Sequence, residues 1–543
     1  MSTLINPAPW QSIPQMLQDS CQRYQQQTAV IDGDTVLSYA QLGAAVDQCA
    51  QAMAGNGVKA GDTVCLWAPN SWQWIACAFG AWALGAVVVP ISSRLKAREV
   101  GPVLQRSGAR LLFSVSDCAG IDLPALLGAH YGQHDERPLD RVATLEQVVC
   151  FDRPSRLAGC STYEAFLAGG AGGGGSIEVM HGDRLAEILF TSGTTGEPKG
   201  VMLNQQQILQ AFWDWSDLGG LEASDNFLVI PPFSHGFGIN AGILACVMRG
   251  MTHVVVDFFD PDAVLGLIAD HAISVMSGPP ALFSAIARKM AGSDNAGACQ
   301  SLRVAYVGAA HVPQETIVRM QSELGIARVI NAYGLIEACV VSMTRASDTT
   351  EVISRTVGRP LPNVGIRIVD DALRDLPAGD PGEVLVRGYG VMQGYFGEPE
   401  LTAAVFTDDQ WLHTGDIGVM DAAGNLTLVG RKKEMFICNG FNVYPSEVED
   451  LLLQHPDIVQ AAVVGIDHPD KGEIGMAFVV LASGVPVESG FDESALIQWA
   501  RENMAAYKVP LRILSVDQLP LNANGKVRKD ELTRIAMQHR TFE

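Results

Sequence analysis

The chain has 543 residues, with 59 acidic and 37 basic side chains and a formal net charge of −22. This length favours more than one domain, and a hydrophobic share of 48 % excludes general disorder. Because so negative a surface repels phosphate backbones and anionic lipid, we expect neither nucleic acid nor a membrane surface as a partner.

Two features of the sequence bear on its compartment. Eleven cysteines are scattered without a CxxC pair, which is typical of reduced thiols in a cytoplasmic protein, and residues 1–18 lack the pattern of a signal peptide. The uncharged run 75–91 is shorter than the roughly 20 apolar residues of a membrane span. Since it contains Gly80, Gly85 and Pro90, a buried helix followed by a buried strand is the favoured interpretation.

Short β-rich apolar runs alternate with amphipathic helical stretches along most of the chain. Strands are predicted at 63–67, 87–90, 227–230, 252–256, 303–307 and 328–330, and helices from Ser71 and Ala97. This alternation is typical of layered α/β domains with much parallel sheet. The glycine-rich stretch 168–176 formally contains GxGxxG, but no strand precedes it, so it is predicted to be a flexible linker.

The sequence pattern changes near residue 430, where the charged cluster Arg431–Glu434 separates two apolar strand candidates. Helices are predicted at 443–453 and 493–504, and strands at 458–464, 477–481 and 513–516. An α+β unit of this size can hold its own core. We therefore expect one domain at 1–430 and a second at 431–543.

The most informative motif is the segment 188–200, which reads Ile-Leu-Phe-Thr-Ser-Gly-Thr-Thr-Gly-Glu-Pro-Lys-Gly. A strand-like run opens into hydroxyl residues and glycines, whose side chains and backbone N–H groups can surround one anion. Lys199 adds a mobile positive charge suited to a polyphosphate. The loop is not a Walker A motif, and taken alone it also fits an ordinary hairpin.

Together with five further segments in the same order, this loop resembles the adenylate-forming superfamily, which includes acyl-CoA synthetases, firefly-luciferase-like enzymes and peptide-synthetase adenylation domains. The further segments are Gly308-Ala309-Ala310, Asn331–Glu337, Trp411–Asp416 with Gly430-Arg431, Lys433–Pro445 and Leu519–Lys526. Singly, these segments also fit turns or surface hairpins. The resemblance covers essentially the whole chain and implies an α/β fold, with a large N-terminal domain of layered subdomains and parallel-rich sheets, and a small mobile α+β C-terminal domain.

The resemblance also implies a role for each matching residue. The implied ATP-binding residues are Thr191, Ser192, Gly193, Thr194, Thr195, Lys199, Gly308, Ala309, Ala310, Asn331, Ala332, Tyr333, Gly334, Asp416 and Arg431. Glu337 is expected to bind Mg²⁺, a hard cation that takes oxygen ligands. The implied catalytic residues are Lys526, Glu337 and Lys199, while Lys433 is the implied pivot of the C-terminal domain and Gly440 borders the channel for coenzyme A. Two positions depart from the family pattern, since Ile336 replaces a usual Thr and Asn204-Gln205 a usual Ser/Thr-His pair.

The implied reaction joins a carboxylic acid to coenzyme A through an acyl-adenylate, with ATP, Mg²⁺ and coenzyme A. The residues implied to face the acyl group are His235, Phe237, Ala241, Gly308 and Val340. Because none of these is an arginine or an acid, an apolar tail is expected, and the small Ala241 leaves room for a cyclic group. His235 fits a packed structural histidine equally well.

The runs 70–74, 278–280, 388–396 and 435–444 are most similar to bacterial synthetases of steroid catabolism, which load coenzyme A onto the propanoate side chain of a two-ring fragment. Alternatives are a medium- or long-chain fatty acid, an aryl acid, or a carrier protein as the acceptor; a homodimer is also left open. A catalytically silent nucleotide-binding regulator is the alternative of another class. Retention of Lys199, Glu337, Asp416, Arg431 and Lys526 argues against it.

Overall fold

The computed structural model describes residues 4–131, 142–170, 182–191, 198–291, 297, 299–308, 312, 314–439, 441–468, 471–482, 492–522 and 526–539. The chain divides into two compact units, Met1–Gly365 with Val386–Leu412, and Ile366–Leu385 with His413–Glu543. The domain boundary expected from the change of sequence pattern near residue 430 stays a prediction. Most of the glycine-rich stretch expected to be a linker lies outside the described residues.

The strands of the described residues follow in chain order. They are β1 Thr28–Asp32, β2 Thr35–Ser38, β3 Thr63–Trp67, β4 Val87–Ile91, β5 Ala109–Ser114, β6 Gln147–Cys150, β7 Ser161–Thr162, β8 Leu185–Thr191, β9 Lys199–Asn204, β10 Asn226–Val229, β11 Thr252–Val255, β12 Val275–Gly278, β13 Val304–Val307, β14 Arg328–Leu335, β15 Cys339–Met343, β16 Arg359–Pro360, β17 Gly365–Val369, β18 Gly382–Arg387, β19 Gly394–Tyr395, β20 Leu412–Met420, β21 Leu426–Arg431, β22 Phe436–Cys438, β23 Phe441–Val443, β24 Ile458–His468, β25 Gly472–Leu481 and β26 Arg512–Ser515.

The helices of the same residues are α1 Ile13–Arg23, α2 Tyr39–Gly55, α3 Trp72–Ala83, α4 Ala97–Ser107, α5 Leu123–Tyr131, α6 Tyr163–Gly169, α7 Gln205–Leu218, α8 Gly236–Gly238, α9 Ala245–Arg249, α10 Pro261–Asp270, α11 Pro280–Ala291, α12 Gln314–Ser322, α13 Thr350–Arg355, α14 Pro399–Ala404, α15 Pro445–Leu452, α16 Glu493–Asn503 and α17 Lys529–Gln538. A π-helix covers Ile239–Leu244 and a 3₁₀ helix covers Ile336–Ala338.

The first unit contains two large sheets. A nine-stranded sheet has the order β16-β15-β14-β13-β12-β10-β11-β1-β2, and β14, β13, β12, β10 and β11 run parallel in it. An eight-stranded sheet has the order β19-β9-β8-β4-β3-β5-β6-β7, with β8 antiparallel to β9. Parallel strands of a doubly covered sheet are buried on both faces, and β3, β4 and β13 are buried along their whole length. The prediction of layered, parallel-rich α/β structure is confirmed.

The second unit is an α+β structure. It holds most of the four-stranded sheet β17-β18-β20-β21 and the sheet β23-β22-β25-β24, in which β26 pairs with β25. Apolar residues of β24, β25, α15, α16 and α17 form its core, including Val463, Phe478, Leu452, Leu496 and Leu532. This agrees with the expected small α+β C-terminal domain.

Two expectations from composition are also settled by these elements. The uncharged run 75–91 forms most of α3 and then β4, and none of the described helices combines the length and apolarity needed to cross a bilayer. All eleven cysteines lie within the described residues, and none of them forms a disulfide. Both agree with the sequence analysis.

Candidate active site

The phosphate-loop motif connects the two strands of a hairpin. Thr191 ends β8 and pairs with Lys199, the first residue of the antiparallel β9. The predicted phosphate residues Ser192, Gly193, Thr194 and Thr195 lie outside the described residues. The hairpin thus holds the two ends of the motif together, with Thr191 at the end of β8 opposite Lys199 at the start of β9.

The departure at Asn204-Gln205 has a structural explanation. Asn204 caps α7, since its Oδ1 accepts a hydrogen bond of 2.8 Å from the backbone N–H of Gln207, and the Gln207 side chain accepts from the Asn204 N–H. The fully buried Gln205 accepts 2.9 Å from the N–H of Ile13. Such caps stabilise a helix by about 1 kcal/mol. These two side chains therefore hold α7 and α1 in place.

Tyr395 joins two of the predicted catalytic side chains. Its Oη donates a hydrogen bond of 3.1 Å to Oε1 of Glu337, and Nζ of Lys199 lies 5.4 Å from the centroid of its ring. This separation is within the range of a cation–π contact. Burial, followed by the charge of Glu337, raises the pKa of Tyr395 far above its ordinary value, so the phenol stays a donor. β19, which ends in Tyr395, is held next to β9 by the pairing of Tyr395 with Val201.

Glu337 lies in the 3₁₀ helix after β14, and its backbone carbonyl accepts 2.8 Å from the N–H of Met392. No cluster of three or more His, Cys, Asp or Glu with the arrangement of a metal site occurs among the described residues. A lone carboxylate nevertheless suits Mg²⁺, which commonly takes one or two protein carboxylates and completes its shell with phosphate oxygens and water. Glu337 is the predicted residue that would hold it.

The predicted ATP-binding residues of the segments 308–310 and 331–334 belong to the carboxyl ends of β13 and β14, which are parallel neighbours in the nine-stranded sheet. Gly308 follows β13 next to β14, and a Cβ on it would lie 3.0 Å from the carbonyl oxygen of Ala332, so the backbones approach closely there. Tyr333 is mostly buried, while Gly334 is exposed at a register shift between β14 and β15. The carboxyl ends of parallel strands are the usual ligand edge of open α/β sheets. Ala309 and Ala310 lie outside the described residues.

Asn331 has a clear structural task. Its side-chain amide donates 3.0 Å to the carbonyls of Ile353 and Thr356, and its backbone N–H donates 2.9 Å to Oγ1 of Thr344. These bonds fix the end of β14 from which Tyr333 projects. Its assignment to ATP binding stays a prediction.

Three of the predicted acyl residues, His235, Phe237 and Ala241, follow β10, which runs parallel to β12 in the nine-stranded sheet. Gly308 follows β13, and Val340 lies in β15. His235 is half-buried and its Nδ1 accepts 3.2 Å from the N–H of Phe237, so it caps the short helix α8. A neutral imidazole whose Nδ1 accepts carries its proton on Nε2. Ala241 is buried in the π-helix, while Phe237 and Val340 are half-buried. Facing the acyl group remains a prediction for these residues.

Asn70, which the sequence analysis assigned no role, holds the segment that carries His235. Its Oδ1 accepts 2.8 Å from the N–H of Phe233, and its Nδ2 donates 3.2 Å to the carbonyl of Pro231 and 2.8 Å to that of Val256. The sequence signal was a polar residue just before the cap of α3. Nothing in that signal points to partners more than 160 residues away.

In the second unit, Asp416 and Arg431 form an ion pair across β20 and β21, with Nε 2.7 Å from Oδ1. Asp416 is 5 % exposed and its backbone N–H donates to Oγ1 of Thr414, whose hydroxyl donates to the carbonyl of Val384. A pocket lined by Thr414, Gly415, Arg431, Lys432 and Lys433 opens beside this pair. A carboxylate fixed in this way can accept hydrogen bonds from two neighbouring hydroxyls, such as those of a ribose, which suits the predicted role of Asp416 in ATP binding.

Lys433 lies in an exposed turn directly after β21, closed by the N–H groups of Glu434 and Met435 donating to the carbonyl of Arg431. A short exposed turn between strands can absorb backbone rotation, as the predicted pivot requires. Gly440, the predicted border of the channel for coenzyme A, lies outside the described residues.

Lys526 is exposed at the end of the second unit. Its backbone forms a 2.9 Å hydrogen bond to Oδ1 of Asn522 and accepts 2.8 Å from the N–H of that residue. Nearby, Nζ of Lys529 lies 2.9 Å from carboxylate oxygens of Glu434 and Glu449. Burial lowers the pKa of Lys529, but the charges of Glu449 and Glu434 outweigh it and the pKa is raised. This network ties the start of α17 to the turn that contains Lys433.

Comparison with known families matches residues 17–396 to the AMP-binding enzyme family and residues 447–526 to the AMP-binding enzyme C-terminal domain. Two relatives are both named 3-[(3aS,4S,7aS)-7a-methyl-1,5-dioxo-octahydro-1H-inden-4-yl]propanoyl:CoA ligase. The relative from Mycobacterium tuberculosis (strain ATCC 25618 / H37Rv) is 39 % identical over 531 residues, which cover 96 % of this chain and 99 % of the relative. The relative from Rhodococcus jostii (strain RHA1) is 36 % identical over 525 residues, which cover 96 % and 98 %.

Among solved structures, ATP-bound MatB from Rhodopseudomonas palustris superposes with a TM-score of 0.85 at 25 % identity, covering 98 % of this chain and 99 % of that one. The family resemblance, the fold and the reaction class expected from the sequence are thereby confirmed. The chain belongs to the AMP-binding enzyme family, as an ATP-dependent acyl-CoA synthetase that uses Mg²⁺ and coenzyme A.

Proposed function

We propose that the acid activated by this synthetase is a bicyclic propanoate that carries ring carbonyl groups. The similarity to two ligases named for such an acid supports this, since each relative is covered almost completely. The observation that carries the chemistry is the contact of Tyr395 with both Lys199 and Glu337. It joins the two motifs from which the phosphate site was predicted.

The reaction divides into two displacements. First, a carboxylate oxygen bonds to the α-phosphorus of ATP, and the bond from that phosphorus to the bridging oxygen breaks, so that pyrophosphate leaves. Next, the sulfur of coenzyme A bonds to the acyl carbon, the thiol loses its proton to solvent, and AMP leaves. Phosphoryl chemistry of this kind depends on positioning and on neutralising charge more than on covalent help from the protein.

Each charged residue has a task in the first displacement. Lys199 attracts phosphate oxygens, and its ammonium is positioned by the Tyr395 ring. Mg²⁺ held by Glu337 would neutralise further phosphate charge. Lys526 is proposed to stabilise the charge that builds up between the carboxylate and the α-phosphate.

The acyl side of the proposed site is mostly apolar. Phe237, Ala241 and Val340 offer carbon surface, and His235 offers one polar edge. Apolar walls of this kind suit a hydrophobic ring system, with a few polar groups setting its orientation. A straight fatty acid and an aryl acid are the alternatives that the experiment must separate.

Acid-dependent exchange of pyrophosphate into ATP tests the proposal. A panel of bicyclic, fatty and aryl acids should give exchange and AMP release that are fastest with the bicyclic propanoate. Lys526→Ala should lower the exchange rate by about 10²- to 10³-fold, the scale of one lost transition-state contact. The control Lys59→Ala removes an exposed lysine of the turn after α2 and should leave the rate unchanged.

Three outcomes would contradict parts of this proposal. Absence of exchange with every acid would refute adenylation. Faster exchange with a fatty or aryl acid than with the bicyclic propanoate would refute the proposed substrate. Thioester formation with a carrier protein but not with coenzyme A would refute coenzyme A as the acceptor of the acyl group.

A further inference from the structure

Two buried polar side chains meet beside the predicted acyl site without using all their hydrogen-bonding capacity. Glu187 of β8 is fully buried, and Asn240 of the π-helix is 2 % exposed. Nδ2 of Asn240 donates 2.7 Å to Oε1 of Glu187. Among the described residues, Oε2 of Glu187 and Oδ1 of Asn240 have no hydrogen-bond partner. Buried polar atoms rarely stay unpaired without a reason.

The surroundings connect this pair with the acyl residues. Asn240 directly precedes Ala241, and a Cβ on Gly236, the neighbour of His235, would lie 3.9 Å from Nδ2 of Asn240 and 3.7 Å from Cδ1 of Leu189. Leu189 and Glu187 share one face of β8, because side chains alternate along a strand. π-Helical turns inside helices are frequent at functional sites. The pair therefore lies against the segment that begins with His235.

A further neighbour of Glu187 is Cys339, the first residue of β15. Burial and then the charge of Glu187 raise the pKa of the Cys339 thiol, and Cys339 precedes Val340. Burial likewise raises the pKa of Glu187 to about 7, although the Asn240 hydrogen bond opposes this. Near neutral pH a large fraction of Glu187 is then an uncharged carboxylic acid, and its O–H is a donor.

We propose that Glu187, oriented by Asn240, binds a ring carbonyl oxygen of the acyl group and so selects keto acids over unfunctionalised ones. This inference rests on the proposed function, since that substrate carries ring carbonyls. A site that hydrogen-bonds a substrate oxygen discriminates strongly against an analogue that lacks it, because the buried donor is left unpaired. The apolar residues predicted from the sequence cannot provide this discrimination.

A matched pair of acids tests the inference, namely the dioxo bicyclic propanoate and the same acid without ring carbonyls. The wild-type protein should prefer the dioxo acid by at least about tenfold in kcat/KM. Glu187→Leu should lower kcat/KM for the dioxo acid by about 10- to 100-fold, mainly by raising KM. For the acid without ring carbonyls, kcat/KM of this variant should stay within a few-fold of the wild-type value. Glu187→Gln keeps a donor at the same place and should retain most of the preference.

Asp214→Asn is the control, because Asp214 of α7 is also a buried carboxylate with one unpartnered oxygen among the described residues, and its other oxygen accepts 2.7 Å from the hydroxyl of Tyr389. This variant should leave unchanged the ratio of kcat/KM for the dioxo acid to kcat/KM for the acid without ring carbonyls. Equal use of both acids by the wild-type protein, or a Glu187→Leu variant with an unaltered ratio, would overturn the inference while the proposed function stands. Failure of the wild-type protein to activate the dioxo acid at all would overturn both.

Discussion

Burial of Glu187 makes the stability of the first unit depend on pH. Its pKa is about 7 in the folded protein against an ordinary value of 4.5, a difference that corresponds to about 3 kcal/mol. The unfolded chain releases this proton near pH 4.5, whereas the folded chain keeps it up to about pH 7. The contribution to the free energy of unfolding is therefore complete below pH 4.5, falls as the pH rises, and is lost above about pH 7.

Glu187→Gln removes the titration but keeps the oxygen that accepts from Asn240. The free energy of unfolding of this variant, relative to the wild-type protein, should rise by about 3 kcal/mol between pH 4 and pH 8. Urea unfolding followed by tryptophan fluorescence measures it, because all tryptophans except Trp499 lie in the first unit. The control Glu164→Gln changes an exposed glutamate of α6. Its free energy of unfolding should stay within about 0.5 kcal/mol of the wild-type value at each pH. If the free energy of unfolding of Glu187→Gln minus that of the wild-type protein stayed constant or fell with rising pH, a raised pKa of Glu187 would be refuted.

Two further predictions concern side chains that position the site. Tyr395→Phe removes the hydroxyl that donates to Glu337 but keeps the ring beside Lys199, so acid-dependent AMP formation should fall about tenfold and need more Mg²⁺; an unchanged Mg²⁺ titration would contradict this role. Asn70→Ala removes two hydrogen bonds to the segment that carries His235 and a third to the carbonyl of Val256. It should destabilise the first unit by about 2 kcal/mol while raising KM for the acid more than KM for ATP. Equal changes in the two KM values would indicate a general loss of structure instead.

Most elements around the site were predictable because their signals are local. The predicted helix from Ser71 begins at Trp72, since Oγ of Ser71 accepts 3.3 Å from the N–H of Trp74. The hairpin of β8 and β9 follows from two apolar runs with a glycine-rich loop between them. By contrast, β24 and β25 extend beyond their predicted ends, because their antiparallel pairing continues to His468 and Gly472 through backbone bonds that need no apolar pattern.

The side chains that connect the site were not predictable in the same way. Tyr395 meets Glu337 across 58 positions, Asn70 meets Phe233 across 163, and Glu187 meets Asn240 across 53. In the sequence, Glu187 is one charged residue within an apolar strand, which by itself indicates neither its burial nor its partner. Such contacts depend on sheet order, and no local pattern encodes sheet order.

The position of Glu187 on β8 gives the proposed substrate selection a length scale. Glu187 lies four residues before Thr191, where the phosphate loop begins, and four residues of strand span about 13 Å. An acid whose carboxylate is at the phosphate end can place a two-ring system along this distance, with a ring carbonyl near the buried carboxyl. A straight-chain acid passes the same point with only methylene groups, which leaves the Glu187 hydroxyl without a partner at a cost of about 1–3 kcal/mol. The strand that leads into the phosphate loop therefore also sets, on this proposal, which acids are activated.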